Sequence, residues 1–151
     1  MTRMYPNPAN PEATVFSWSI RVYWEDTDAG GIVFYANYLK YFERARTEWL
    51  RALGLEQRVL QEATGCIFVV SEANIKYLRP ARLDDQLLVT AQLSDMGRSS
   101  FTILQEARIT DQTGDPAGTL LCSGSVRIGW VNHQNMKPAR IPMLIQDALK
   151  R

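Results

Sequence analysis

The segment EDTDAGGIVFYANYL, residues 25–39, places Asp26, Asp28 and two adjacent glycines directly before an apolar run. A carboxylate can act as a general base or a nucleophile when another group stabilises the charge that develops on the substrate. Glycines allow the backbone to approach a ligand closely. The segment therefore suits carboxylate chemistry at a loop, although an acidic strand-to-helix turn with no chemistry explains the same residues.

The predicted helix that follows supplies the second half of such a site. Asn37 is a plausible N-cap, and apolar residues then recur at helical spacing as far as Leu53. Backbone N–H groups in the first turn of a helix have no partner within it, and the helix dipole favours negative charge there. A thioester or ester carbonyl aimed at these groups would find an oxyanion site. The same helix end would stabilise an ionised aspartate, so both interpretations stay open.

Other common reactive arrangements are missing from the sequence. His133 is the only histidine, and no G-x-S-x-G motif, phosphate-binding loop or dinucleotide-binding glycine motif is present. Clustered zinc ligands are absent, and the two aspartates match only the first two positions of a calcium loop. Cys66 and Cys122 lie in apolar, strand-like runs and are predicted to be reduced and buried. We expect no metal or cofactor.

Length and composition predict one globular domain. The chain has 151 residues and a net charge of +1, which gives no basic field for nucleic acid or an anionic membrane. Residues 1–14 contain three prolines and no apolar signal-peptide core, so they are predicted to form a flexible lead-in to a domain over residues 15–151. No run approaches the roughly 20 apolar residues of a membrane span. We expect a cytoplasmic protein.

Hydrophobic periodicity predicts an α+β fold in which a curved antiparallel sheet wraps around one long helix. A further short helix is predicted at 57–63 and another at 142–149, and a loose hairpin loop at 111–118. Within the long helix the apolar stripe is Leu39, Phe42, Ala45 or Arg46, Trp49 and Leu53. In the strand at 66–78 the predicted inner face is Ile67, Val69, Ala73, Ile75 and Tyr77. The strands are predicted at 15–24, 66–78, 86–93, 100–110 and 120–131. An exposed face or edge of this sheet would favour a homodimer.

Three segments carry a resemblance to a known family. RVYWEDTDAGGIVFYANYLKYFERARTEWLRALGL, FVVSEANIKYLRPARLDD and MKPARIP resemble the hotdog-fold acyl-CoA thioesterases of the 4-hydroxybenzoyl-CoA thioesterase-like superfamily, and most of all its Tol–Pal-associated branch. The resemblance spans roughly residues 17–142. It implies a hotdog fold, hydrolysis of acyl-CoA to the free acid and CoA without a cofactor, and dimers or tetramers with active sites between subunits.

The resemblance also implies roles for individual residues. Asp28 matches the family's catalytic aspartate, a nucleophile or general base, and the backbone N–H of Tyr35 matches the group that polarises the thioester carbonyl. Asp26 is expected to orient the loop. The Tol–Pal branch usually has histidine where this chain has Tyr35, which leaves the acyl substrate open.

Residues expected to contact substrate follow in the same way. Gly31 lets the loop backbone approach the ligand, and Tyr38 either packs in the core or lines the acyl pocket. Basic residues near the surface hold the CoA phosphates in the family. The candidates here are Arg79, Arg82, Arg98, Lys137 and Arg140, of which we select Arg98 and Lys137.

Three alternatives accompany this prediction. A hydroxyacyl-thioester dehydratase of the same fold needs a histidine near the helix, and none is present. A binding module, docking an acyl carrier protein or an envelope-associated complex, would not need Asp28. A related branch uses a glutamate on the helix, but here Glu43 and Glu48 are expected to pair with Arg46 and Arg51.

Overall fold

The structure, a computed structural model, describes residues 2–7, 10–110 and 118–151. Its strands form one antiparallel sheet in the order β1-β2-β4-β5-β6-β3. The strands are β1 (Thr2–Asn7), β2 (Asn10–Arg21), β3 (Cys66–Tyr77), β4 (Gln86–Met96), β5 (Ser100–Ile109) and β6 (Leu120–Asn132). The helices are α1 (Asn37–Ala52), α2 (Gln57–Thr64) and α3 (Met143–Leu149), and a 3-10 turn covers Trp24–Asp26.

Helix α1 packs against one face of the sheet, which confirms the predicted α+β architecture. Tyr41, Phe42 and Ala45 are fully buried on one face of α1. The sheet contributes alternate residues of its inner strands to the same core, among them Leu87, Val89, Ile103, Ala107 and Val126. Burial of this apolar surface is the main force that holds the helix against the sheet.

The start of α1 differs from the prediction, whereas its end agrees. The N-cap is Ala36, which makes no side-chain cap, and Asn37 is the first helical residue. Leu39 is 44% exposed because the buried stripe begins at Tyr38 instead. At the other end Gly54 has a φ of 83°, the left-handed conformation that glycine adopts without strain.

Strand β3 presents different residues to the core than its alternation predicts. Cys66 is buried and Phe68 packs against the core, so Ile67 and Val69 belong to the other face. The pairing register with β6 shifts between Val70 and Glu72. This bulge adds one residue, which reverses the alternation and returns Ile75 to the core side. Among the described strands β3 pairs only with β6, so its outer edge is open.

The remaining elements match the predicted ones with shifted ends. Strand β4 continues to Met96, and the first predicted strand lies at Asn10–Arg21 rather than 15–24. Strand β1 lies within the predicted lead-in, where no strand was expected; the mobility of residues 1–14 stays a prediction, as does the domain boundary at residue 15. The predicted loop at 111–118 lies outside the described residues except for Gly118. Among the described helices, none is long and apolar enough to cross a membrane.

Candidate active site

The connection between β2 and α1 folds into a tight turn around Asp28. Thr27 and Val33 form an antiparallel bridge across this turn. The Asp28 N–H donates to the Ile32 carbonyl at 2.8 Å, and the Gly31 N–H donates to the Asp28 carbonyl at 3.0 Å. Gly31 has a φ of 80°, a left-handed conformation that glycine adopts without strain. The structure therefore gives Gly31 a conformational reason to be glycine.

The two aspartates of the turn occupy opposite environments. The Asp28 side chain is exposed, and its Oδ1 accepts a hydrogen bond from the Gly30 N–H at 2.8 Å. Asp26 is only 4% exposed. Its Oδ2 accepts from the Tyr23 N–H at 2.8 Å and its Oδ1 accepts from Asn37 Nδ2 at 3.0 Å. Asp26 therefore ties the loop to the first residue of α1, whereas Asp28 is available to a ligand.

Removal of the Asp26 carboxylate should destabilise the fold. Asp26→Ala leaves the Tyr23 N–H and the Asn37 amide without their acceptors, and each buried unsatisfied group costs about 1–3 kcal/mol. We expect the free energy of unfolding in urea to fall by about 2–4 kcal/mol. Asp147→Ala, at an exposed position on α3, is the matched control and should change it little. Equal stability of the two variants would contradict the role assigned to Asp26.

The backbone of Tyr35 is held at the start of α1 by the hydrogen bonds of its neighbours. The Phe34 N–H donates to the Asp26 carbonyl, and the Asn37 N–H donates to the Phe34 carbonyl. The Tyr35 carbonyl accepts from the Tyr77 hydroxyl at 2.9 Å. Among the hydrogen bonds of the described residues none is donated by the Tyr35 N–H. The side chain is 64% exposed, so the residue combines a fixed backbone with an open surface.

Tyr38 lies in the core of the single chain. Its hydroxyl accepts a hydrogen bond from the Ala81 N–H at 3.1 Å, and its ring packs edge-on against Tyr41 and Tyr77. Burial raises the pKa of the Tyr38 hydroxyl, so it stays neutral. These contacts show that Tyr38 packs in the core. Its contact with substrate stays a prediction.

Arg98 and Lys137 lie at the other end of the sheet from Asp28. The Arg98 carbonyl accepts from the Ile141 N–H at 2.8 Å, which brings the turn after β4 beside the segment that carries Lys137. Strand β4 begins at Gln86 near the Asp28 turn and ends at Met96 near Arg98. At about 3.3 Å per residue its length separates the two ends by roughly 30 Å. Within one chain these basic residues do not meet Asp28.

Arg82 is the basic residue that the structure places beside the Asp28 turn. Its backbone forms an antiparallel bridge with Ile32, and the Val33 N–H donates to the Ala81 carbonyl at 2.9 Å. Arg82 is exposed. The sequence does not distinguish Arg82 from the other candidate basic residues, because only the fold brings it to this turn.

Both cysteines are buried free thiols. Burial raises the pKa of Cys122 to about 12, so neither catalysis nor metal binding by its thiolate fits its environment. Within the described part of the chain no group of three or more His, Cys, Asp or Glu side chains could hold a metal ion.

Comparison with known proteins places these features in context. Residues 22–149 match the family model of the thioesterase-like superfamily. The chain is 41% identical to the acyl-CoA thioesterase YbgC of Haemophilus influenzae over 88% of this chain and 93% of that protein. It is 39% identical to the acyl-CoA thioester hydrolase YbgC of an Escherichia coli O6:H1 strain over 91% and 98%.

The fold of this chain closely resembles that of a solved structure. A mutant 4-hydroxybenzoyl CoA thioesterase complexed with 4-hydroxybenzoyl CoA superposes with a TM-score of 0.83, covering 91% of this chain and 99% of that one at 19% identity. This likeness confirms the hotdog arrangement of the sheet around α1.

Proposed function

Because the chain belongs to the thioesterase-like superfamily, we propose that it is an acyl-CoA thioesterase in which Asp28 and the Tyr35 N–H carry out the hydrolysis. The observation that carries this proposal is an exposed carboxylate on the loop before α1 together with a backbone N–H at the start of α1 that has no acceptor among the described residues. The buried Asp26 supports both by fixing the loop on α1. Similarity to proteins named acyl-CoA thioesterase or thioester hydrolase supports the choice of substrate class.

The reaction needs one charged group and one donor. Asp28 either attacks the thioester carbonyl, which forms an acyl anhydride, or removes a proton from a water molecule that attacks it. In both routes the carbonyl oxygen becomes an oxyanion, which the Tyr35 N–H stabilises. The C–S bond then breaks, the CoA thiolate takes up a proton, and in the first route a water molecule hydrolyses the anhydride. The products are the free acid and CoA.

Two copies of the chain are proposed to complete the site. The open edge of β3 is a natural pairing surface for the same edge of a second copy, and Val70 and Tyr77 on this strand are 51% and 45% exposed. Arg98 and Lys137, which lie far from Asp28 in their own chain, would then serve the CoA phosphates of the neighbour's site. Gly31 and Tyr38 are proposed as substrate contacts near the thioester.

The cellular location and the partners of this activity are also proposals. Two buried free thiols suit a reducing compartment, which agrees with the expected cytoplasmic location. A net charge of +1 gives no reason to expect nucleic acid as a partner. Contacts with an acyl carrier protein or with Tol–Pal components stay predictions from the resemblance.

Thiol release from a panel of short, long and aromatic acyl-CoAs tests the proposed function. The purified chain should release one CoA thiol per acid formed with at least one member of the panel. A binding module of the same fold would bind an acyl thioester and release no thiol. A dehydratase would convert a 3-hydroxyacyl thioester to the enoyl product, and either result would contradict the proposal.

A further inference from the structure

A groove of about 260 Å³ lies between α1 and the sheet, and the reaction proposed above does not use it. One wall is apolar and comes from α1 and three strands, through Leu50, Phe68, Phe101, Ile103 and Ile128. The opposite wall is polar and comes from the two helices, through Glu43, Arg46, Thr47 and Gln57. A site with one dry wall and a few convergent polar groups fits an amphipathic small molecule.

Arg46 is the unusual member of this groove. It does not pair with Glu43 as its spacing predicts, whereas the Glu48–Arg51 pair forms as predicted. Among the hydrogen bonds between described residues its guanidinium makes one, from Nη1 to Gln105 Oε1 at 3.0 Å. A guanidinium has five N–H donors, so most of them are free for water or a ligand. Burial lowers the pKa of Arg46, which indicates that the group sits partly out of water while still charged.

Glu43 provides an acceptor on the same wall. Its Oε1 accepts a hydrogen bond from Thr47 Oγ1 at 2.8 Å, and Thr47 in turn accepts from Gln57 Nε2 at 3.1 Å. The carboxylate keeps further acceptor capacity beyond this bond. The wall therefore offers a positive donor and a negative acceptor, with no net charge. A hydroxyl group, which both donates and accepts, satisfies both at once.

One face of α1 joins the groove to the Tyr35 N–H. Leu39, Glu43, Arg46 and Leu50 follow one another at three- and four-residue steps, so they share one helix face. Arg46 lies nine residues after Asn37, the first residue of α1, which is about 14 Å along the helix axis, and Tyr35 lies two residues further back. An extended ten-carbon chain advances about 11 Å, at roughly 1.3 Å per bond for bonds of about 1.5 Å. Helix side chains lean towards the N-terminus, which shortens the remaining gap.

From this arrangement we propose that the groove receives the far end of a medium-chain acyl group that carries a hydroxyl group there, and that Arg46 and Glu43 bind this hydroxyl. The inference rests on the proposed thioesterase activity and names the acyl substrate class of the same site. The thioester carbonyl lies at Tyr35, the chain follows the exposed side of Leu39, and the terminal hydroxyl replaces water at Arg46. An unsubstituted chain would displace water from the partly buried Arg46 donors that Gln105 does not use, and would give them no acceptor in return.

The proposal is tested by comparing kcat/KM for two substrates that differ only in the terminal hydroxyl group. Wild-type protein should hydrolyse ω-hydroxydecanoyl-CoA with a kcat/KM about tenfold above that of decanoyl-CoA, the value of one hydrogen bond to a charged group. Arg46→Met should bring this ratio close to one by lowering the rate on the hydroxylated substrate alone. Arg51→Met makes the same change on the same helix outside the groove and should keep the ratio. Thermal unfolding of both variants checks that they are folded.

The results that would contradict the groove proposal differ from the result that would contradict the thioesterase proposal. If the wild type releases thiol from both substrates with equal kcat/KM, or if Arg46→Met keeps the preference, the groove does not bind the hydroxyl and this inference is wrong while the thioesterase proposal stands. A third substrate, ω-carboxydecanoyl-CoA, tests for an anion: if the wild type prefers it to ω-hydroxydecanoyl-CoA, the groove binds an anion and the proposed hydroxyl is wrong. If no acyl-CoA in the wider panel yields thiol, the proposed function itself fails.

Discussion

Asp28→Asn should lower kcat for acyl-CoA hydrolysis by at least ~100-fold, the lower range for loss of a general base. The substitution removes the negative charge and the basic oxygen while it keeps the shape of the side chain. It also keeps an oxygen that can accept the Gly30 N–H, so the turn around residue 28 should survive. The effect should therefore fall on the chemical step and leave KM and stability nearly unchanged. Initial rates of thiol release over a range of acyl-CoA concentrations give both constants.

Asp147→Asn is the control for this experiment, since it makes the same chemical change at an exposed position on α3. It should leave kcat at the wild-type value. If purified, folded Asp28→Asn hydrolysed acyl-CoA as fast as this control, the assignment of Asp28 as nucleophile or base would be wrong.

Tyr35→Pro should have a comparable or larger effect, because it removes the one N–H proposed to hold the oxyanion. Loss of a single oxyanion donor typically costs ~100- to 1000-fold in kcat, or roughly 2.7–4 kcal/mol in the transition state. Proline is the only substitution that deletes this group, since every other residue keeps its backbone N–H. The expected loss is in kcat, with saturation by substrate preserved.

Tyr35→Ala separates the backbone from the side chain. It removes the exposed ring and its edge contact with Tyr77 but keeps the N–H, so it should retain most of the wild-type kcat. Circular dichroism and urea unfolding of both variants report any distortion that proline introduces in the loop. Equal losses of kcat in the alanine and proline variants would locate the effect in the phenol ring and contradict the proposed role of the N–H.

Local patterns in the sequence predicted much of the fold. Alternation located the strands because each has one face on the core, and the three- to four-residue spacing located α1 because only one of its faces is buried. Glycine is the usual residue just after a helix, and Gly54 and Gly65 follow α1 and α2 in the left-handed conformation, with φ values of 83° and 71°. The sequence does not predict that Asp26 is buried while Asp28 is exposed, and the roles of the two residues stay predictions.

Features that depend on contacts between distant segments were not predictable. The bulge between Val70 and Glu72 reverses the alternation of inward- and outward-facing residues in β3. It arises from the pairing with β6, and no residue type in β3 predicts it. Asn37 is predicted as an N-cap because asparagine favours that position. Its side chain instead binds Asp26, which lies eleven residues earlier in the chain and contacts it only in the folded protein. The separation of Arg98 from Asp28 follows from the direction of β4, which motif similarity does not specify.

The burial of Cys122 has a practical bearing on all the assays that follow free thiols. Reagents that report CoA release react with thiolates, and a thiol whose pKa is raised to about 12 is almost entirely protonated at neutral pH. Cys122 is also shielded from solvent, and Cys66 is buried in the same core. The folded protein should therefore contribute little colour of its own, and a slow rise in signal without substrate would report unfolding rather than turnover.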